Sequence, residues 1–351
     1  MQKNSGSSDR AHDRDMNEPA GQNVSRREQL LALLSDGEMH SGERLASQLN
    51  VTRAAVWKLI HGLKDMGIMI EAEHHGYRLP HAIDLYDAAR LRELCAGYES
   101  RLQQIDCLFE VDSTNTHVTS HPVNQSGDAV LCVAEIQHSG RGRRGRSWVA
   151  PFGESICMSL GWLFDSLPPD FSSLSLVVGV ALTRVLRAAG AHDVGVKWPN
   201  DLLWNGRKLA GVLIEMRGEP DGQAQMVIGI GVNHRLSESS RKQLLEQQLL
   251  VCDLHEILGE HSPGRNQLVA AITCELMSCL KKFEQSGFMS FMAEWQSYDV
   301  LASSEVQVLQ GEQCFVGVAA GITLDGSLLL NTPHGIRKFN SGEVSLRARR
   351  D

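Results

Sequence analysis

Hydrophobic residues recur along the chain with different periods, and the changes of period divide it. In residues 27–34, Leu30, Leu31, Leu33 and Leu34 have the spacing of a short helix, closed by Ser35-Asp36-Gly37. Ser41 is placed to cap a second helix carrying Leu45 and Leu49, and Thr52 a third. The third has an apolar stripe of Ala55, Val56, Leu59, Ile60 and Leu63 and ends at Gly67. Two short helices and a longer one, tightly joined, make the helix-turn-helix pattern. Residues 68–70 and 77–79 flank Glu73-His74-His75-Gly76 as the arms of a hairpin wing.

From residue 82 the periods mix. Residues 128–137 form an apolar run between Gly127 and a Gly/Arg stretch, which predicts a buried strand. Ile156, Met158, Leu160 and Trp162 alternate with Ser155, Cys157, Ser159 and Gly161, the period of a half-buried strand. Residues 174–189 are apolar nearly all round, as in a buried helix. Residues 201–204 and 207–215 flank Asn205-Gly206, a strong hairpin signal. A further strand is predicted over 226–232 and a long amphipathic helix over 266–287. This order suggests an α+β sheet domain. Short strands over 305–309, 313–322, 327–330 and 343–346, separated by glycine-containing turns such as Asp325-Gly326, predict a small SH3-like barrel. The expected organisation is a disordered tail over 1–23, a winged helix-turn-helix over 24–80, a larger domain over 82–298 and the small β domain over 299–351.

Composition changes this picture little. A chain of 351 residues has room for two or three domains, and 42% hydrophobic with 22% charged residues is ordinary for a globular protein. No uninterrupted apolar run approaches the ~18 residues of a membrane span, and the N-terminal tail lacks a secretory core. Eight cysteines scattered without a CxxC pair read as reduced thiols of a cytoplasmic protein. The net charge of −8 argues against nucleic acid at first sight. The charge is uneven, however: Arg26, Arg27, Arg44, Arg53, Lys58, Lys64 and Arg78 gather in the first domain. On the polar side of the third helix lie Arg53, Trp57, Lys58, His61 and Lys64, groups able to reach phosphates and base edges in a major groove. With Arg44 and Thr52 nearby, Arg53, Trp57, Lys58 and His61 form the candidate DNA-contacting set, the alternative being a merely solvated basic face.

The most specific chemistry lies in Gly140-Arg141-Gly142-Arg143-Arg144-Gly145-Arg146-Ser147-Trp148. Mutual repulsion and glycine entropy disfavour a regular strand or helix there, so a loop is expected, ordered by an anion. Guanidinium forks suit phosphate or carboxylate, and glycine lets the backbone approach closely. No GK[ST] follows, so this is no Walker loop. An RNA-binding arm or a flexible linker are the bland alternatives, but apolar strands on both sides favour an active-site loop. Lys208, at the start of the apolar strand after Asn205-Gly206, requires an anionic partner, either Asp201 across the hairpin or a bound ligand. Asp201 and Asn200 equally suit Mg²⁺, which takes oxygen ligands. Asp112-Ser113-Thr114-Asn115 alone is an ordinary helix-cap signal, and Gly229-Ile230-Gly231-Val232-Asn233 a strand with glycines where something presses on the backbone.

Together, DSTN at Asp112, GRGRRGRSW at Gly140, KWPNDLLW at Lys197, GRKLAGVLIE at Gly206 and GIGVN at Gly229 closely resemble the biotin–protein ligases of the bacterial bifunctional class, also called biotin operon repressors. The likeness runs from about Arg26 to Arg347 and includes HSGERLASQLNVTRAAVWKLI and GEVSLR. It implies a two-step acyl transfer: biotin and Mg-ATP give biotinyl-adenylate, and an acceptor lysine on the biotin carboxyl carrier domain of acetyl-CoA carboxylase then displaces AMP. By matching positions it implies Lys208, Arg141 and Arg143 as catalytic residues. Ser113, Thr114, Asn115, Gln137, Gly140, Gly142 and Gly229, with the same three cations, would hold biotin. Arg143, Arg144, Arg146, Trp148, Asn200, Lys208 and Asn233 would meet the nucleotide, and Asp201 the metal. It further implies operator DNA as a partner and a homodimer when adenylate is bound. Between Asn233 and His255 no aromatic residue stands, so adenine packing would be either weaker or supplied by aliphatic side chains such as Leu249 and Leu250. Two rival expectations remain: a lipoate or octanoate ligase, and a biotin-sensing repressor that does not catalyse.

Overall fold

A computed structural model describes residues 25–218 and 222–340 and the backbone of 344–348; the tail expected over 1–23 lies outside the described residues. The chain falls into two compact units that divide after His81.

In the first unit, α1 (Arg26–Leu34), α2 (Gly42–Leu49) and α3 (Arg53–Asp65) precede a two-stranded wing, β1 (Glu71–Glu73) and β2 (Gly76–Arg78). Each helix starts as the sequence indicates. Ser25 and Glu28 form a reciprocal capping box, while Ser41 and Thr52 accept from the amides of Arg44 and Ala55. Leu30, Leu31 and Leu34 meet Leu45, Leu49, Val56, Ile60 and Leu63 as a buried core. The wing departs from expectation in its first arm, which is residues 71–73 rather than 68–70, with Glu71 opposite Arg78. Ile68 and Ile70 are buried and leave α3 toward this unit's core, so their apolar character reports packing rather than pairing.

The second unit is built on a seven-stranded sheet. Its elements run α4 (Ala88–Leu94), β3 (Leu102–Val111), α5 (Thr114–Ser120), β4 (Ala129–Gln137), β5 (Ser155–Phe164), α6 (Leu174–Ala188), β6 (Gly195–Lys197), β7 (Asp201–Trp204), β8 (Arg207–Gly218) and β9 (Ala224–Asn233). There follow α7 (Glu238–Glu246), α8 (Leu254–Leu258), α9 (Arg265–Ser286) and α10 (Met289–Tyr298). The strand order is β3-β4-β5-β9-β8-β7-β6, with β3 and β4 parallel and the other neighbours antiparallel. The mixed sheet with helices on its faces agrees with the expected α+β class.

Alternation assigns the two faces. Leu131, Val133, Met158, Leu160, Ile228 and Ile230 join α6 and α9 in the main core. Cys132 and Val227 instead join Val118 of α5. The intervening positions of β5 and β9, among them Ser159, Gly161, Gly229 and Gly231, also turn toward α5 and the arginine loop. This corrects the half-buried reading of β5, whose ten residues are all buried. Its Ser/Cys/Gly face is small because it is covered, not polar because it is wet. The stretch Phe171–Ala188 is apolar enough for a membrane span, but most of it is buried, mainly in α6 between the sheet and α9.

The C-terminal segment forms β10 (Glu305–Gln310), β11 (Gln313–Ile322), β12 (Leu328–Thr332), β13 (Gly335–Phe339) and β14 (Val344–Ala348), in the order β13-β12-β11-β10-β14. That meander, with the last strand returned to the first, is the strand order of a small SH3-like barrel. The sequence missed β13, where Gly335, Ile336, Arg337 and Lys338 are exposed and only Phe339 is buried. The start of the expected last strand, Glu343, lies outside the described residues. Val306, Val308, Leu328, Leu330 and Phe339 belong to the same core cluster as the large sheet. The Trp198 indole donates to the Gly326 carbonyl across that junction at 2.9 Å.

Candidate active site

A cavity of about 1110 Å³ opens over the small-residue face of the sheet. From Gly229 to Asn233, β9 runs along it for roughly 13 Å at ~3.3 Å per residue. The volume lies just above the usual range for small-molecule sites, ~300–1,000 Å³. Every residue expected in the site lines this cavity except Gly140.

At one end stands α5. Ser113 is its N-cap, yet its hydroxyl makes no capping bond, so the ordinary-cap reading of Asp112-Ser113-Thr114-Asn115 does not describe it. The Thr114 amide and hydroxyl both donate to Gln137 Oε1, at 2.9 and 3.1 Å. Asn115 donates to Glu215 Oε2 at 2.8 Å and accepts from the Ser159 hydroxyl at 2.6 Å. The pressure expected on the glycines of β9 is real. A Cβ at Gly229 would lie 2.2 Å from Asn115 Oδ1, and one at Gly231 would lie 2.3 Å from the Trp148 ring.

Between the ends lies the arginine loop. It is more ordered than a loose loop: Arg141 and Ser147 pair, the Trp148 amide donates to the Gly140 carbonyl at 2.8 Å, and a single 3-10 turn spans Arg143–Gly145. The turn closes through left-handed backbone at Arg144 (φ 61°) and Gly145 (φ 72°). Gly140 sits behind the loop, where a Cβ would strike the Trp148 carbonyl at 2.5 Å and the Gln137 amide at 2.6 Å. Arg141 donates to Thr116 and Glu215, and Arg143 to Asn200 Oδ1 at 3.1 Å; Arg144 and Arg146 are exposed. Burial lowers the pKa of Arg143, with Asp201 opposing that effect.

At the other end, Lys208 Nζ meets Asp201 Oδ1 at 2.6 Å, the first of the two anionic partners that the sequence allowed. Asn205 and Gly206 take the positive φ values, 49° and 73°, that a tight hairpin turn requires. Lys208 pairs with Leu203, but the register then shifts so that Asp201 faces Gly211. Such a bulge re-aims side chains. Lys208 lies 5.5 Å from the centre of the Trp148 ring. Its backbone is fixed on the far side by Leu250 and Cys252, and Asn233 donates to the carbonyls of Lys208 and Cys252. Leu244, Leu249 and Leu250 form an apolar part of the rim, the last two substantially exposed.

Several lining residues were given no role from sequence. Lys197 adds a sixth cation to Arg141, Arg143, Arg144, Arg146 and Lys208, against Asp201 as the carboxylate lining the described cavity. Gly211 gives Lys208 and Trp148 their room. Val300, Leu301 and Gln307 arrive from beyond α10, and only tertiary packing brings them there. Cys157 is a buried thiol, pushed up to about 12 chiefly by desolvation, and so is no thiolate nucleophile at neutral pH. The arrangement suits two anionic groups held together over a neutral floor.

The close fit at Gly231 predicts that Gly231→Ala will displace the Trp148 ring. Overpacking of this kind costs about 1–3 kcal/mol. Urea unfolding should show that loss, and an unchanged midpoint would mean that the indole moves aside freely.

Comparison with known proteins agrees across the chain. The model of the biotin/lipoate A/B protein ligase family matches residues 108–233, that of an HTH domain residues 26–78, and that of the biotin protein ligase C-terminal domain residues 304–347. The chain is 38% identical over 328 residues to the bifunctional ligase/repressor BirA of Escherichia coli K12, covering 91% of this chain and 96% of that protein. It is 37% identical over 322 residues to the protein of the same name from Salmonella typhimurium, covering 91% and 97%. Among solved structures it is similar to the biotin protein ligase from Aquifex aeolicus in complex with biotin and ATP, with a TM-score of 0.59, 29% identity, and coverage of 71% of this chain and 100% of that one.

Proposed function

The chain belongs to the family of bifunctional biotin–protein ligase/repressors, and from that premise we propose how its own residues divide the work. It is an ATP-dependent biotin–protein ligase with a winged helix-turn-helix for transcriptional repression. The observation that carries the site assignment is the Lys208–Asp201 pair, set across the arginine loop from α5 in one cavity.

Biotin lies along the small-residue floor, its ring system toward Ser113, Thr114, Asn115, Gln137 and Gly229, its carboxylate toward Lys208. A carboxylate oxygen attacks the α-phosphorus of ATP, the new O–P bond forms, and pyrophosphate leaves. Carboxylate and phosphate repel one another, so the cations act by lowering the cost of bringing them together. Lys208 leaves Asp201 for the carboxylate and α-phosphate; Arg141 and Arg143 close over the adenylate with Trp148. Arg144 and Arg146, exposed before binding, turn to phosphate. Asn200 orients Arg143, and Asn233 holds the Lys208 backbone beside the nucleotide. Adenine packs on Leu249 and Leu250. Freed of Lys208, Asp201 would offer its carboxylate to an Mg²⁺ brought by ATP, in keeping with an ion that needs one or two carboxylates besides phosphate. That ion would offset phosphate charge. In the second step an acceptor lysine amine attacks the acyl carbon and AMP leaves.

The acceptor is the biotin carboxyl carrier domain of acetyl-CoA carboxylase, and the setting is the cytoplasm. Adenylate binding orders the loops and favours a homodimer whose two winged helices reach paired half-sites in operator DNA, while the acceptor competes for the same face. In the DNA-binding unit Arg44, Thr52, Arg53, Lys58 and His61 are exposed and Trp57 is half exposed, with the Trp57 and His61 rings 3.7 Å apart. Lys58→Ala is expected to weaken operator binding about equally across sequences and to reduce the salt slope by about 1. An unchanged slope would remove Lys58 from the phosphate contacts.

The direct test incubates the protein with Mg-ATP, acceptor domain, and biotin or octanoate, and reads the mass of the acceptor. A biotin-sized gain that needs ATP and the acceptor lysine supports the assignment. An octanoyl gain would move the chain to the lipoate-ligase side, and no gain despite biotin binding would leave a sensor without transfer.

A further inference from the structure

Outside the cavity, on the last turn of α5 and the neighbouring strand β3, a second constellation of functional groups comes together. One ligand atom from each of Asp106, His117 and His121 lies within 4.8 Å of the others. His117 Nε2 faces Asp106 Oδ2 at 2.7 Å, and the two imidazoles are stacked with ring centres 4.2 Å apart. His117 lies in the last turn of α5, and His121 is its C-cap, where the backbone is already extended (φ −112°, ψ 95°) and lays the second ring against the first. All three residues are partly buried, Asp106 and His117 with side chains about one-fifth exposed, so water and ions reach them while the geometry stays fixed.

We propose that Asp106, His117 and His121 form a binding site for one divalent transition-metal ion of the zinc class. Two imidazoles and a carboxylate are the donors such an ion takes in a three-ligand site, with a fourth position left to water. The surroundings favour this use. His121 Nδ1 lies 2.7 Å from the His117 carbonyl, so the N–H sits there and the lone pair is left on Nε2. Donation from the second ring nitrogen to a carbonyl is the usual support of a metal-bound histidine. Gln104 Nε2 donates to both Asp106 oxygens, at 2.9 and 2.8 Å, and holds the carboxylate plane. With bonds of ~2.0–2.2 Å, tetrahedral ligand atoms stand about 3.3–3.6 Å apart, so His117 and Asp106, at 2.7 Å, need to separate by less than about 1 Å. Without an ion, the same contacts would serve merely to clip α5 to β3.

The test uses the full chain, free of ATP and biotin, with Zn²⁺ followed by calorimetry and Co²⁺ by visible absorption. Wild type is expected to take up one equivalent at the site, with the d–d spectrum of nitrogen and oxygen ligation. Removing a ligand should cost more than losing an outer-sphere partner, so His121→Ala and Asp106→Asn should each weaken Zn²⁺ binding by at least about tenfold. If His121→Ala does not fold, the isosteric Asp106→Asn carries the test by itself. Unchanged affinity in the folded variants, or thiolate charge-transfer bands that place cobalt on cysteine, would overturn the proposal.

Discussion

Lys208→Ala is expected to slow biotinyl-adenylate formation by at least about 10²–10³-fold, the loss that follows removal of one preorganised charge-stabilising donor. The expectation rests on three features of the site. Lys208 is held from behind through its backbone, so its ammonium is placed by the sheet rather than by a mobile segment. Its ammonium rests 2.6 Å from Asp201 Oδ1, a contact that an incoming anion would replace. Its neighbour Trp148 bounds the same space and limits solvent around it. The loss should fall on kcat more than on KM if the ammonium acts chiefly as charge develops. The lysine is about one-third exposed, so its removal should cost little stability, and a retained melting temperature separates loss of chemistry from loss of fold. Asp201→Asn is the informative companion, because it leaves the ammonium in place without its resting partner. Full adenylation by Lys208→Ala would remove this residue from the mechanism.

Much of this site is written locally. Asn205-Gly206 specifies a turn by needing two positive φ values, and the turn brings Lys208 into reach of Asp201. The glycines of β9 signal that a group lies against the strand, although only the fold shows that Asn115 presses on one and Trp148 on the other. Glu215 was legible as the end of a strand but not as the group joining Asn115 to Arg141, since that contact crosses about a hundred residues. The fold follows the same rule. A strongly apolar segment such as α6, or a capped amphipathic one such as α3, declares itself. The parallel edge strand β3 has intermediate burial over most of its length and therefore no period to read. β13 is mostly exposed and partly charged, and β5 hides its burial behind serine, cysteine and glycine. In each case the missing information lay in what covers the strand.

The largest stability effect is expected far from the cavity, at Arg265. This guanidinium is 1% exposed and sits 2.5 Å from Glu135 Oε2, whose side chain is 7% exposed. It stacks 4.4 Å from the Tyr86 ring centre and donates to the Asp84 carbonyl, while the Tyr86 amide donates to Glu135 Oε1. Asp84 and Asn266 complete the clasp: the Asn266 amide bonds Asp84 Oδ2, and the Asn266 side chain bonds Leu85 and Asp87. The pair thus fastens residues 84–87 to β4 and to the start of α9. Arg265→Ala leaves Glu135 buried and uncompensated, which costs about 3–5 kcal/mol. For a unit of this size each kcal/mol moves the melting temperature by roughly 2–4 °C, so a fall of about 10 °C is expected. The double variant Arg265→Met/Glu135→Leu should recover most of that loss, because a buried ion pair replaced by apolar side chains of similar volume is often neutral. Recovery would mean that the pair fixes where residues 84–87 lie more than it stabilises the fold. A loss under about 1 kcal/mol in Arg265→Ala would instead mean that water or a shifted side chain satisfies Glu135, and that the clasp holds through Asp84 and Asn266 alone.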